Sequence, residues 1–194
     1  MKNKLFTPKS FVVLGASLVV CAAVLLAVWQ GNIHLSKQRV KTYVNTLYTL
    51  LPEPQGAVVE ERGDNTMPVL SAENTDFIGI IEMPKFNSQL PVGASWGNPT
   101  KYPCYFDGSI YNSTLKVGAT SQKGQYDFYS EISVGDTVLF TDMSGNQYTL
   151  YVTNLRYQKH ADKAALEREN ATLTLFIKNV YDFEYLIVSC DVAK

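Results

Sequence analysis

The sequence predicts a mainly β protein: a closed or nearly closed barrel of about seven or eight short strands with short helices, behind one N-terminal transmembrane helix. Three observations carry this. Short runs rich in β-branched and aromatic residues, such as Thr172–Ile177 and Tyr185–Val192, recur between Gly, Asn and Asp turns. No internal repeat organises them, and an open sheet of that size would leave edges to protect. Ahead of them, Phe11–Trp29 is a run of 19 apolar or small residues without a charge.

Residues 1–10 read as a cytoplasmic tail and 11–29 as a membrane anchor. At about 1.5 Å per residue the run nearly spans a hydrocarbon core of roughly 30 Å, whereas the apolar region of a cleaved signal peptide is only about 7–15 residues long. Cys21 follows Leu18-Val19-Val20, loosely like a lipoprotein cleavage box. Val20 is not small, however, and the apolar run continues, so Cys21 reads as a lipid-embedded small hydrophobe. Lys2, Lys4 and Lys9 before the span are nearly balanced by Lys37, Arg39 and Lys41 after it. The short tail, and two cysteines beyond the span, favour placing the remainder on the oxidising side. A net charge of −1 gives no reason to expect a nucleic-acid partner.

Residues 30–75 are expected to form a juxtamembrane helix and an acidic linker. Ser36 suits the cap of a helix running to about Leu51, with Val40, Tyr43, Val44, Leu47, Leu50 and Leu51 on one stripe. Such a helix packs on the domain or lies at the lipid interface; a dimerising helix is the sharper alternative. From Pro52 to Thr75, prolines, glycines and acids predict a mobile tether. The folded domain is expected over 76–194. It opens with a strand at Phe77–Glu82, followed by a short strand at Thr114–Val117 and a helical turn at Tyr126–Ile132. A hairpin of Val138–Asp142 and Tyr148–Val152 turns through Ser144-Gly145-Asn146. Ala161–Glu169 reads as a short exposed helix before the last two strands.

Within Leu173–Lys178 the residues LTLFIK resemble the strand of sortase transpeptidases that reads LTLxTC, whose last residue is the nucleophile. Ile78-Gly79-Ile80, Met83-Pro84-Lys85 and Leu90-Pro91-Val92 are similar to the first strands of that family. Tyr102-Pro103-Cys104-Tyr105 with Gly108-Ser109 resembles a subgroup near classes B and D, and Gly135-Asp136 through Asn146 resembles "GDxVxFTDxxGN". The resemblance covers roughly Asp76 to Val192. It implies a sortase-like barrel outside a Gram-positive-type cell and a sorting-signal peptide or surface protein as partner.

The family's reaction needs a Cys nucleophile, a His proton donor and an Arg near the developing oxyanion. The matching positions here are Lys178, Ala119 and Tyr185, and no histidine lies between His34 and His160. A protonated amine is a poor nucleophile, and a tyrosine donates a hydrogen bond without positive charge. The expectation is therefore a sortase-like domain without sortase chemistry, needing no cofactor and no metal. Cys104 and Cys190, which match extra cysteines of the subgroup, are either a disulfide or two buried free thiols. His160 with either cysteine would be a relocated catalytic pair, against the simpler reading of an exposed side chain. Lys178 either accepts an isopeptide bond or merely occupies the former nucleophile position. Three readings follow: an inactive peptide-binding module, an active transpeptidase with relocated residues, and a structural membrane domain. An open cleft near Ala119, Lys178 and Tyr185 favours the first; a cleft filled by Tyr181, Phe183 or Tyr185 favours the third.

Overall fold

The computed structural model describes residues 8–57, 65–97, 99–159 and 170–193. It begins with α1 (Pro8–Leu50), a single helix of 43 residues. The break expected near Ser36, between anchor and juxtamembrane helix, is absent. Gln30 to Leu35 contains no proline, and Gly31 alone costs only about 1 kcal/mol in a helix interior, too little to stop a helix held by packing further on. That packing comes from Val40, Val44, Leu47 and Leu51, all buried at helical spacing against the barrel. Each such side chain stabilises by about 1.5–3 kcal/mol when fully removed from water. Tyr43 meets Phe77 with ring centroids 5.2 Å apart, and the Tyr48 hydroxyl donates to Glu82 at 2.6 Å. The window from Phe11 onward is exposed on all sides, and the helix is long and apolar enough to cross a membrane.

The tether expected over 52–75 is partly built into the sheet. β1 (Gln55–Gly56) and β2 (Leu70–Ala72) flank the barrel, and Met67 and Ala72 are buried. The amide of Gln55 donates to the Gly145 carbonyl, and that of Ala57 to the Gln147 carbonyl, each at 2.8 Å. Acidic and proline-rich composition predicts exposure on average, but a few apolar residues and free backbone groups suffice to pair with a sheet edge.

The barrel strands are β3 (Thr75–Met83), β4 (Ser88–Gly93), β5 (Cys104–Asp107), β6 (Leu115–Thr120), β7 (Thr137–Asp142), β8 (Asn146–Gln158), β9 (Leu173–Lys178) and β10 (Tyr185–Asp191). They close a ring of eight in the order β3-β4-β5-β6-β9-β10-β8-β7, with β7 returning to β3. β4–β5 and β6–β9 are parallel pairs, and the remaining neighbours in the ring are antiparallel. Closure removes the edges that an open sheet would expose. The interior takes Val117 and Ala119 from β6, Leu173, Leu175 and Ile177 from β9, and Leu186, Val188 and Cys190 from β10. The hairpin alternation holds, with Tyr148, Leu150 and Val152 buried, but β8 runs on to Gln158 because β10 pairs along it as far as Tyr185. The helical turn contracts to a 3-10 turn at Tyr129–Glu131. His160 and the helix expected at Ala161–Glu169 lie outside the described residues.

Candidate functional site

The parallel pairing of β6 with β9, and the antiparallel pairing of β9 with β10, set the site. Thr120, Lys178 and Tyr185 stand side by side across the three strands. Ala119 is one residue out of this row: it pairs with Ile177, and both belong to the interior cluster. Because alternate residues face opposite sides of a strand, Thr120 shares the outer face with Lys178. Its hydroxyl is buried there without a hydrogen-bond partner. Lys178 is half-buried at the end of β9, and its Nζ lies 5.3 Å from the centroid of the Phe183 ring, a cation–π contact. Lys159, Lys178, Asp182, Phe183, Glu184 and Tyr185 surround an open cleft of about 470 Å³. Phe183 thus covers the lysine without filling the cleft, and Tyr181 stays exposed to solvent.

The wall beside this row is aromatic. Phe176 and Ile187 are buried on the outer face, with Phe106 and Tyr185 packed against them. Trp96, from the β4–β5 connection, stacks on Phe176 at 5.7 Å and 25°, and Phe106 stands edge-on to both rings at 5.5 and 5.2 Å. Gly118 makes this possible: a Cβ there would lie 2.3 Å from the Trp96 ring and 2.5 Å from Phe176. Any side chain at that position would displace the indole.

Neutral polar groups tie the rim together. The Asn179 side-chain amide donates to the Tyr129 hydroxyl at 2.8 Å, and the Ser121 hydroxyl accepts from Val180 N at 3.2 Å. Ser121 Oγ lies 3.4 Å from Asn179 Oδ1, and Gln125 accepts from Thr120 N while donating to the Pro99 carbonyl. Of the row, the sequence reading named Lys178 and Tyr185 but took Ala119, which faces the interior, in place of Thr120, and it did not name Trp96, Gly118 or this mesh. The only signal was the unexpectedly small residue in the middle of a buried strand.

Cys104 and Cys190 are both buried, and no disulfide joins them. Cys104 pairs with Gly118 and therefore shares the outer face, whereas Cys190 belongs to the interior cluster. Strands β6 and β9 also separate β5 from β10, about 14 Å at three strand spacings, where a disulfide needs Cα atoms within roughly 7 Å. Burial pushes the Cys190 thiol far above its usual range, with the Asp191 carboxylate adding to it, which is the opposite of what a nucleophile needs. Its relocated pairing with His160 involves a residue outside those described. Among the described residues, no group of three His, Cys, Asp or Glu side chains is placed to hold a metal ion.

No protein-family model and no curated protein matches the chain. Solved structures do. Sortase A from Corynebacterium diphtheriae is 13% identical with a TM-score of 0.54, over 84% of this chain and 84% of that one. Streptococcus agalactiae sortase C1, in its complex with MTSET, is 17% identical at a TM-score of 0.52 over 61% of this chain and 68% of its own. Sortase C1 from Streptococcus suis is also 17% identical, at 0.51, over 61% and 73%. The closed eight-strand barrel described above is thus the fold of the sortases.

Proposed function

We propose that the chain is a membrane-anchored, sortase-like barrel at the outer cell surface that has lost transpeptidase chemistry and serves as a binding module. Its partner is a sorting-signal peptide or the surface protein that carries one. The observation that carries this reading is the row Thr120–Lys178–Tyr185, in which Lys178 and Tyr185 are the positions where the resemblance expects the nucleophile and the arginine, while Ala119, the histidine position, lies one residue out of it. That row offers an amine under an aromatic ring, a phenol and a hydroxyl, with neither a thiol nor an imidazole. Such groups hold a peptide through its carbonyls and carboxylates, but form no thioester. The open cleft beside Lys178 supports a bound segment, while Trp96 over Gly118 means an extended peptide along β6 and β9 must push the indole aside. This cover favours a second reading, a scaffold that acts through other contacts alone.

The test is a labelled LPxTG-type peptide titrated into the full chain in detergent, with anisotropy and mass spectrometry on the same sample. Saturable binding without cleavage, weakened by Lys178→Ala, is the expected result. Cleavage abolished by Cys104→Ala or Cys190→Ala would establish an active enzyme instead. No binding of the peptide would leave the scaffold reading.

A further inference from the structure

We propose that the barrel end carrying the candidate site docks on the headgroup layer of an anionic lipid bilayer. This rests on the anchored reading of α1. A span from Phe11 to Trp29, at about 1.5 Å per residue, puts Trp29 where the hydrocarbon core ends, the level at which tryptophans concentrate in membrane proteins. Trp29 does not stand free there. Lys123, from the loop after β6, places its Nζ 5.4 Å from the centroid of the Trp29 ring. A cleft of about 370 Å³ joins Trp29 and Ile33 to Lys101, Lys123, Val180 and Tyr181. The loop after β6 therefore reaches Trp29 through Lys123, and the β4–β5 connection and the β9–β10 turn line the same cleft, which runs along the helix from Trp29 to Val40.

The headgroup zone on each side is only about 5–8 Å deep, so groups touching Trp29 lie within it. Their chemistry suits that place. Tyr181 is 79% exposed and Phe183 64%; at an interface both rings leave water, and the amphipathic Tyr181 keeps its hydroxyl at the headgroups. The cleft at Trp29 presents Lys101 and Lys123 and no carboxylate. Asp182 and Glu184, which follow Tyr181 in the β9–β10 turn, line a separate cleft together with Lys159 and Lys178. Asp127 faces Lys37 and Lys41 in a further cleft higher on the helix. Among the described residues, the charge lining the cleft at Trp29 is positive, which selects anionic lipid.

The experiment uses the full chain with Cys21→Ala, reconstituted in vesicles of phosphatidylglycerol and phosphatidylcholine. An environment-sensitive fluorophore is placed on Tyr181→Cys or, separately, on Ser144→Cys. Ser144 is exposed beside Gly145, whose carbonyl binds the segment just past the far end of α1. Trp29 to Leu50 spans about 32 Å of helix, so the two labels report opposite ends. Quenching by headgroup-level spin-labelled lipid is expected to be several-fold stronger at position 181 than at 144. Lys101→Glu with Lys123→Glu should bring it down to the level at 144. An anchored chain that shows equal quenching at both positions, or quenching at 181 indifferent to the charge reversals, overturns the docking alone. Extraction of the chain by alkaline carbonate would sink the anchor, and the docking with it.

Discussion

The two ends of the barrel are held by different kinds of polar contact. At the turn between β7 and β8, Asp142 is fully buried and accepts from four donors: Tyr111 OH and Asn146 Nδ2 at 2.8 Å, and the amides of Ser144 and Asn146 at 2.9 Å. At the other end, apart from the exposed Asp182 carboxylate that accepts from Glu184 N at 3.0 Å, the rim of the candidate site relies on neutral hydroxyls and amides, one contact as long as 3.4 Å, with the Thr120 hydroxyl left unpartnered. A charged acceptor with every site filled fixes one geometry, because each alternative strands a buried charge. Neutral, incompletely matched groups allow several. The Asp142 turn is rigid by chemistry, and the rim of the candidate site is held more loosely.

The sharpest way to break the comparison is Asp142→Ala. It orphans those neutral donors, at about 1–3 kcal/mol for each that stays buried and unpaired, read as a shift in urea midpoint. A loss below about 1 kcal/mol would show the turn to be no stronger than the rim. Next comes Gly118→Ala, which forces the indole off Phe176; overpacking of this kind costs about 1–3 kcal/mol. In a Trp29→Phe background, Trp96 emission should shift to the red, and an unchanged spectrum would contradict the stacking. Asn179→Ala is expected to cost about 1–2 kcal/mol. Its main signature is faster hydrogen exchange confined to 121–125 and 179–184, with the Asp142 turn unaffected.

The smallest effect serves as a control away from both ends. Burial first, and then the hydrogen-bonded Glu82 carboxylate, raise the Tyr48 phenol well above its ordinary value of 10.0. The folded chain keeps that proton where the unfolded chain loses it. The resulting stability is complete below pH 10.0 and is lost as the pH rises from there toward the raised value. Tyr48→Phe should flatten the fall in stability above pH 10, and an unchanged alkaline profile would place the cause in other phenols.

Much of this was legible in the sequence for a physical reason. Strands of β6, β9 and β10 declare themselves because burial demands unbroken apolar or alternating runs. Asp142 and Asn146 declare themselves as a turn motif because their bonds are local. The rim was not legible: Ser121 and Asn179 meet across 58 positions, and Trp96 reaches Phe176 from a connection with no periodicity. Short-range pattern carries no record of such encounters. The tether was misread for a related reason, since composition describes an average, while the pairing of Gln55 and Leu70 depends on which edge is at hand. Helix continuity past Ser36 likewise hinged on the barrel beneath Val40 and Val44.

That continuity decides how the domain meets the world. A disordered tether of some twenty residues would let the barrel roam about 25 Å in every direction and tumble freely. A single unbroken helix, seated along the barrel by Val40, Val44, Leu47 and Leu51, instead works as a mast. In the anchored reading proposed above, the domain would keep a fixed height and one bearing relative to the bilayer, and would drift only in two dimensions. Neighbours in the same membrane would then meet it already oriented, instead of searching through every rotation.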